Sequence, residues 1–250
     1  MSTTETGAPS DKGEGQLGYG LDHVVDVDNY YAWLADVLRP HLVGTVVEHG
    51  AGNGALSALL LARGVGTLVL TEPDPRLVAG LRTTFGARAG VEVFEGTLEG
   101  YLEKRGPGSV DSILSSNVLE HIVDDEACLL AMHALLRPGG TLALYVPARP
   151  ELYGEHDREV GHQRRYRRSE LRKKLLATGF EVRTLEYRNL VGAIGWLVMS
   201  RILGKQPGLI RSGVRFYDRV VFPLCRAIED VVAPPYGQNL LAIARSVDRA

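Results

Sequence analysis

Of the seven histidines in this 250-residue chain, His121, His156 and His162 lie in polar segments where an imidazole poised near neutral pH could take a proton from a substrate. His162 and His156 rank ahead of His121, because they share one segment with Tyr153, Arg164, Arg165 and Tyr166, which add hydroxyls and fixed positive charge. His121 serves equally well as a structural hydrogen-bonding residue. A second kind of chemistry is written in Glu48-His49-Gly50-Ala51-Gly52-Asn53-Gly54. Glycines there let the backbone turn sharply and a ligand lie against the main chain, with a following helix offering free N–H groups. Glu72 lies 20 residues beyond Gly52, the separation at which a βαβ unit presents a carboxylate to ribose hydroxyls. No acidic pair or histidine cluster has a spacing that demands a metal.

The elements that must hold these residues follow from hydrophobic patterning. The β-branched run Gly44 to His49 reads as a buried strand and Ala55 to Arg63 as the helix after it. Further strands are expected over Thr67 to Glu72, Val91 to Phe94, Val110 to Ser116 and Thr141 to Pro147, with a helix from Asp125 to Arg137 before the last of these. Ser169 is expected to cap a helix running to Ala177, followed by strands from Phe180 to Tyr187 and from Asn239 to Arg245. Ahead of the first strand, Asn29 to Leu38 forms an amphipathic helix carrying Tyr30, Tyr31 and Trp33. It either packs on the sheet edge or roofs the ligand pocket.

Residues 1–18 have the composition of a disordered tail, and 19–250 suffice for one domain with a full core. The formal net charge of −2 gives no general attraction to polyphosphate, so nucleic acid is not an expected partner. Cys128 and Cys225 are too few for a disulfide framework and read as reduced core thiols. The N-terminus lacks the basic and apolar regions of a signal peptide, and no apolar run reaches about 18 residues, which points to the cytoplasm. Residues 148–168, rich in His, Tyr and Arg and placed after the fifth strand, read as a substrate loop or as a clamp of arginines on carboxylates. The apolar insertion at 189–235 suits a helical lid, a homodimer interface or a peripheral membrane contact.

From Val46 to Pro147 the chain resembles the class I S-adenosylmethionine (SAM)-dependent methyltransferases. The resemblance rests on Glu48-x-Gly50-x-Gly52-x-Gly54, on Asn117-Val118-Leu119-Glu120-His121 after the fourth strand, and on Leu135-Leu136-Arg137-Pro138-Gly139-Gly140 before the fifth. The segment Asp157-x-x-x-Gly161-His162-x-Arg164-Arg165-Tyr166 is similar to that of one methyltransferase subgroup. This resemblance implies an α/β, Rossmann-like, seven-stranded and mostly parallel sheet with helices on both faces, an antiparallel last strand and a helical insertion before it. It implies that Glu48, Gly50, Ala51, Gly52, Asn53 and Gly54 surround the methionine part of SAM, and that Glu72 and Pro73 hold the ribose. Thr97 and Leu98 would flank the adenine, and Asn117 and Val118 would line the floor beside the sulfonium; Tyr31 and Trp33 would cover the cofactor on the roofing reading of their helix. Thr97 departs from the aspartate common in relatives, which leaves the adenine amino group to a backbone carbonyl.

The implied activity is methyl transfer to an O, N or C nucleophile of a small polar molecule, of the kind specialised metabolism supplies, with Tyr153, Arg164, Arg165 and Tyr166 binding that acceptor. Two alternatives stand beside it. Gly50-x-Gly52-x-x-Ala55 also fits a dinucleotide fingerprint and thus an NAD(P)-dependent oxidoreductase, although Glu48 would repel a pyrophosphate and attract the ammonium of SAM. The other is a catalytically silent SAM-binding scaffold protein.

Overall fold

The computed structural model describes residues 28–190, 192, 216–229 and 234–247. The sheet is built from β1 (Thr45–His49), β2 (Thr67–Glu72), β3 (Val91–Glu95), β4 (Val110–Ser116), β5 (Leu136–Pro147), β6 (Phe180–Arg188) and β7 (Asn239–Ser246). Its order is β3-β2-β1-β4-β5-β7-β6. The pairs from β3 through β5 are parallel, whereas β7 runs antiparallel to both β5 and β6. The mostly parallel sheet with its antiparallel last strand is therefore as expected.

Alternation along each strand sends side chains to two apolar layers. Val47, Ile113, Leu142 and Leu144 pack with α4 (Leu98–Arg105), α5 (Asp125–Leu135) and α7 (Arg168–Ala177). Val46, Leu68, Leu114 and Tyr145 pack with α1 (Asp28–Leu38), α2 (Ala55–Ala62) and α3 (Pro75–Phe85). Residues on both faces are thus covered, which is what continuous apolar strands require.

Three local expectations change. The helix before β5 stops at Leu135, not Arg137, because Leu136 pairs with Val110 and begins the strand early. The helix α7 starts at Arg168 with no side-chain cap, so Ser169 lies inside it. The loop after β5 contains a short helix, α6 (Glu155–Glu159).

The tail at 1–18 and the apolar segment 193–199 lie outside the described residues, as does the Cys225 side chain. Cys128 is a buried free thiol. Of the insertion, a π-helical turn (Tyr217–Val221) and α8 (Phe222–Glu229) are described. They pack along α1: Asp218 accepts hydrogen bonds from the backbone N–H groups of Asn29 (3.1 Å) and Tyr30 (3.0 Å), and Arg226 pairs with Asp36 at 2.9 Å. No described helix is long and apolar enough to cross a membrane.

Candidate active site

The turn after β1 is fixed by backbone conformation and by one carboxylate. Gly50, Gly52 and Gly54 have φ of +71°, +57° and +81°, a region that favours glycine. A Cβ on Gly50 would stand 2.5 Å from Val118, so the segment after β4 lies directly against this turn. The N–H groups of Gly50 and Ala51 donate to the Thr71 carbonyl (2.9 and 3.1 Å). Glu72, only 1% exposed, accepts from the N–H of Gly52 (2.9 Å) and of Asp74 (3.0 Å), so it binds the end of β2 to the turn. Asn53 is exposed and accepts from Ala55 N–H at 3.0 Å, and Pro73 is exposed beside Glu72.

Glu48 lies beneath this turn, buried, accepting a 2.6 Å hydrogen bond from the Ser57 hydroxyl of α2. Burial pushes its carboxyl up to about 7, against the Ser57 bond that pulls it down. Its neighbour His49, 3.2 Å from Ser115 Oγ, is driven down to about 4 by burial. A carboxyl raised above its unfolded value contributes stability that is complete below about pH 4.5 and is lost as pH rises through about 7. Glu48→Gln removes that titration. Relative to the parent, the variant should gain up to about 3 kcal/mol between about pH 4.5 and about pH 8. Paired thermal melts at the two pH values check this, and a difference that does not vary with pH would count against it.

The other expected cofactor contacts divide. Asn117, with φ +53°, donates its N–H to the Tyr145 carbonyl at 2.8 Å and holds the chain as it leaves β4, with Val118 half-buried over Gly50. Thr97 is exposed and caps α4 by accepting from Gly100 N–H (3.3 Å). The Leu98 side chain is fully buried in the core. Trp33, 1% exposed, packs edge-on against Tyr145 (6.2 Å) and Phe222 (5.4 Å), as the packing reading of its helix has it. Tyr31 is half-buried against the Tyr30 ring.

The loop after β5 is organised by two buried acids. Asp157 accepts from Arg165 Nε (2.8 Å), His162 Nδ1 (2.8 Å) and Gly154 N–H (2.9 Å). Against its burial, His162 and Arg165 hold its carboxyl below the usual range. Asp125 pairs with Arg164 (2.9 Å) and Lys174 (2.8 Å), and accepts from the Tyr166 hydroxyl (2.9 Å). Tyr153 donates to the His162 carbonyl at 2.7 Å. Arg165 is 5% exposed and Tyr166 is fully buried, so these two cannot reach an acceptor as expected; they clamp the loop to Asp157 and Asp125. Arg164 is tied down too, donating to the Val123 carbonyl at 2.7 Å. His156 is half-buried, with Nδ1 4.0 Å from Glu159, and burial lowers its pKa.

His162 meets the segment after β4. Its ring packs edge-on to His121 at 4.7 Å, and its Nε2 is 3.8 Å from Glu120. Glu120 is fully buried, neither of its carboxylate oxygens has a hydrogen-bond partner, and burial raises its carboxyl to about 8. Burial, then the nearby His162, lowers His121 to about 4. Sequence reasoning assigned no role to Glu120 or Asp157, although both stand inside the quoted motifs. It also saw no metal-ligating group, yet Glu120, His121 and His162 converge from two distant segments.

At the level of whole sequences, the family model for a methyltransferase domain matches residues 21–185. An uncharacterized methyltransferase of Mycobacterium bovis (strain BCG / Pasteur 1173P2) is 29% identical over 130 residues, covering 52% of this chain and 50% of that protein. The chain thus spans about half the length of the curated relatives it matches. In fold it is similar to an SAM-dependent methyltransferase from Mesorhizobium loti (TM-score 0.59, 16% identity, covering 88% of this chain and 100% of that one). It is also similar to a chain of the complex between the Haloferax volcanii Trm112 methyltransferase activator and a methyltransferase (TM-score 0.61, 18% identity, 89% and 92% covered). With two thirds of its length matched by the family model and the sheet order that carries the glycine turn, the chain belongs to the methyltransferase domain family.

Proposed function

We propose that this protein is an SAM-dependent methyltransferase acting on an O, N or C nucleophile of a small polar acceptor. The observation that supports this most is one of placement. The glycine turn with Glu72, and the Asn117-to-His121 segment with His162 against it, stand side by side at the carboxyl edge of neighbouring strands β1 and β4, where ligands of open α/β sheets bind.

The residues present fit SAM. Glu72 offers a fixed carboxylate for ribose hydroxyls, and Glu48, bonded to Ser57 beneath the turn, offers a second acid that an ammonium beside it would hold ionised. Bound SAM supplies a methyl group already activated on a sulfonium, so the protein's task is largely to position the acceptor and remove its proton. Asp157 fixes the His162 ring through Nδ1 and leaves Nε2 toward Glu120. That makes His162 the group aimed at the acceptor, and the arginine clamp around it keeps the loop in place.

Calorimetry with SAM, S-adenosylhomocysteine and NAD tests the assignment. Saturable binding of the first two and none of the third is expected. The reverse pattern would replace it with a nicotinamide-dependent oxidoreductase, because two acids at the turn disfavour a pyrophosphate only if that turn is the site.

A further inference from the structure

Three side chains from two segments distant in the chain present ligand atoms within 4.8 Å of one another: a carboxylate oxygen of Glu120 and one ring nitrogen each of His121 and His162. Their surroundings are those of a cation site. Glu120 is fully buried and neither carboxylate oxygen has a hydrogen-bond partner, an arrangement that low-dielectric surroundings penalise in the ionised form, that the Arg165 charge only partly offsets and that a cation would relieve. His162 contacts Asp157 through Nδ1 at 2.8 Å, which directs Nε2 toward Glu120 at 3.8 Å. A ligating histidine characteristically has such a carboxylate behind its other nitrogen, fixing tautomer and ring orientation. Asp157 is in turn held by Arg165 and by Gly154 N–H, so the support is rigid.

Two imidazoles and one carboxylate form a donor set suited to zinc, iron, cobalt or nickel, and ill suited to magnesium or calcium, which take oxygen ligands. Metal–ligand bonds of about 2.0–2.2 Å place ligand atoms roughly 3.3 Å apart, so closing around an ion takes a shift of about 1 Å in the two rings.

We propose that Glu120, His121 and His162 bind one divalent transition-metal ion, with Asp157 as the positioning residue behind His162. Three protein ligands would leave such an ion able to take an oxygen of the acceptor as a further ligand. That use of the ion rests on the methyl-transfer reading, in which an ion holding His162 Nε2 would take over from the free ring the task of easing the acceptor's proton away; its binding does not rest on that reading.

The test uses the full chain, stripped of metal by chelator and free of SAM. Titration with Co²⁺ should give ligand-field bands in the visible saturating at about one equivalent, and Zn²⁺ should displace it, as a histidine–carboxylate site requires. Glu120→Gln and His162→Ala should each weaken Zn²⁺ binding by more than about tenfold, and Asp157→Asn by about tenfold. Glu159→Gln, on an exposed acid nearby, should leave it unchanged. His121→Gln provides a further ligand variant if either of the first two fails to fold. Absence of saturable binding, or equal binding by folded ligand variants and parent, would overturn the site. SAM affinity measured separately on the metal-free protein reports on the methyl-transfer reading independently, so the two failures are distinguishable.

Discussion

Glu72→Ala should weaken SAM and S-adenosylhomocysteine binding by about 1.5–3 kcal/mol, roughly 10- to 150-fold in Kd. The carboxylate has two tasks. It accepts from the N–H groups of Gly52 and Asp74, and so holds the turn at the end of β2 in one conformation. In the proposed complex it also receives the ribose hydroxyls. Alanine removes the acceptor and leaves two backbone donors without it, so part of the loss comes from a loosened turn. Glu72→Gln separates the two, because its amide oxygen can still accept one backbone N–H while losing the charge. Calorimetry on both variants, with melts to establish folding, reads the effect. An unchanged Kd in folded Glu72→Ala would remove this residue from the cofactor site.

His162→Ala should lower methyl transfer by about 10²–10⁴-fold while leaving SAM affinity within about a factor of two. The ring touches Glu120, His121 and Asp157, and none of these contacts lies in the glycine turn. Asp157→Asn should lower turnover less, since the ring stays but its tautomer is no longer enforced. His156→Ala should change little: His156 is half-exposed on α6, with its Nδ1 4.0 Å from Glu159. Release of S-adenosylhomocysteine is the readout, measured against whichever member of a panel of hydroxyl- and amine-bearing carboxylates and phosphates the parent methylates. Full activity in His162→Ala, or equal losses in His156→Ala and His162→Ala, would sink the assignment.

The fold was legible because buried parallel strands are short β-branched runs separated by helix-forming stretches, a pattern local in the chain. The boundary at Leu135 was not, because Leu136 favours helix by propensity and its pairing with Val110 overrides that, with Pro138 turning Arg137 out of the helix as well. The same division runs through the site. A glycine turn is a local device, so Gly50, Gly52 and Gly54 announce themselves. Which charges pair across the molecule is not local. Arg165 and Tyr166 read as polar groups available to a ligand until Asp157 and Asp125 are seen to occupy them. Glu120 read as one letter of a motif until the His162 ring was brought to it from another segment. Leu98 and Trp33 were placed by their neighbours in sequence, whereas their side chains follow the apolar layers.

The strand that completes this sheet is made after the strands it joins. Residues of β7 lie between β5, from Thr141 to Pro147, and β6, yet they follow both in the chain. During synthesis from the N-terminus, β5 therefore emerges with one backbone edge open, and β6 has no strand to pair with until Asn239–Ser246 leave the ribosome. An open edge beside an apolar face is a template for another chain. Nascent or truncated forms ending before residue 239 should thus depend on holding chaperones, and the parallel strands β1 to β4 would have to form the first stable nucleus without them.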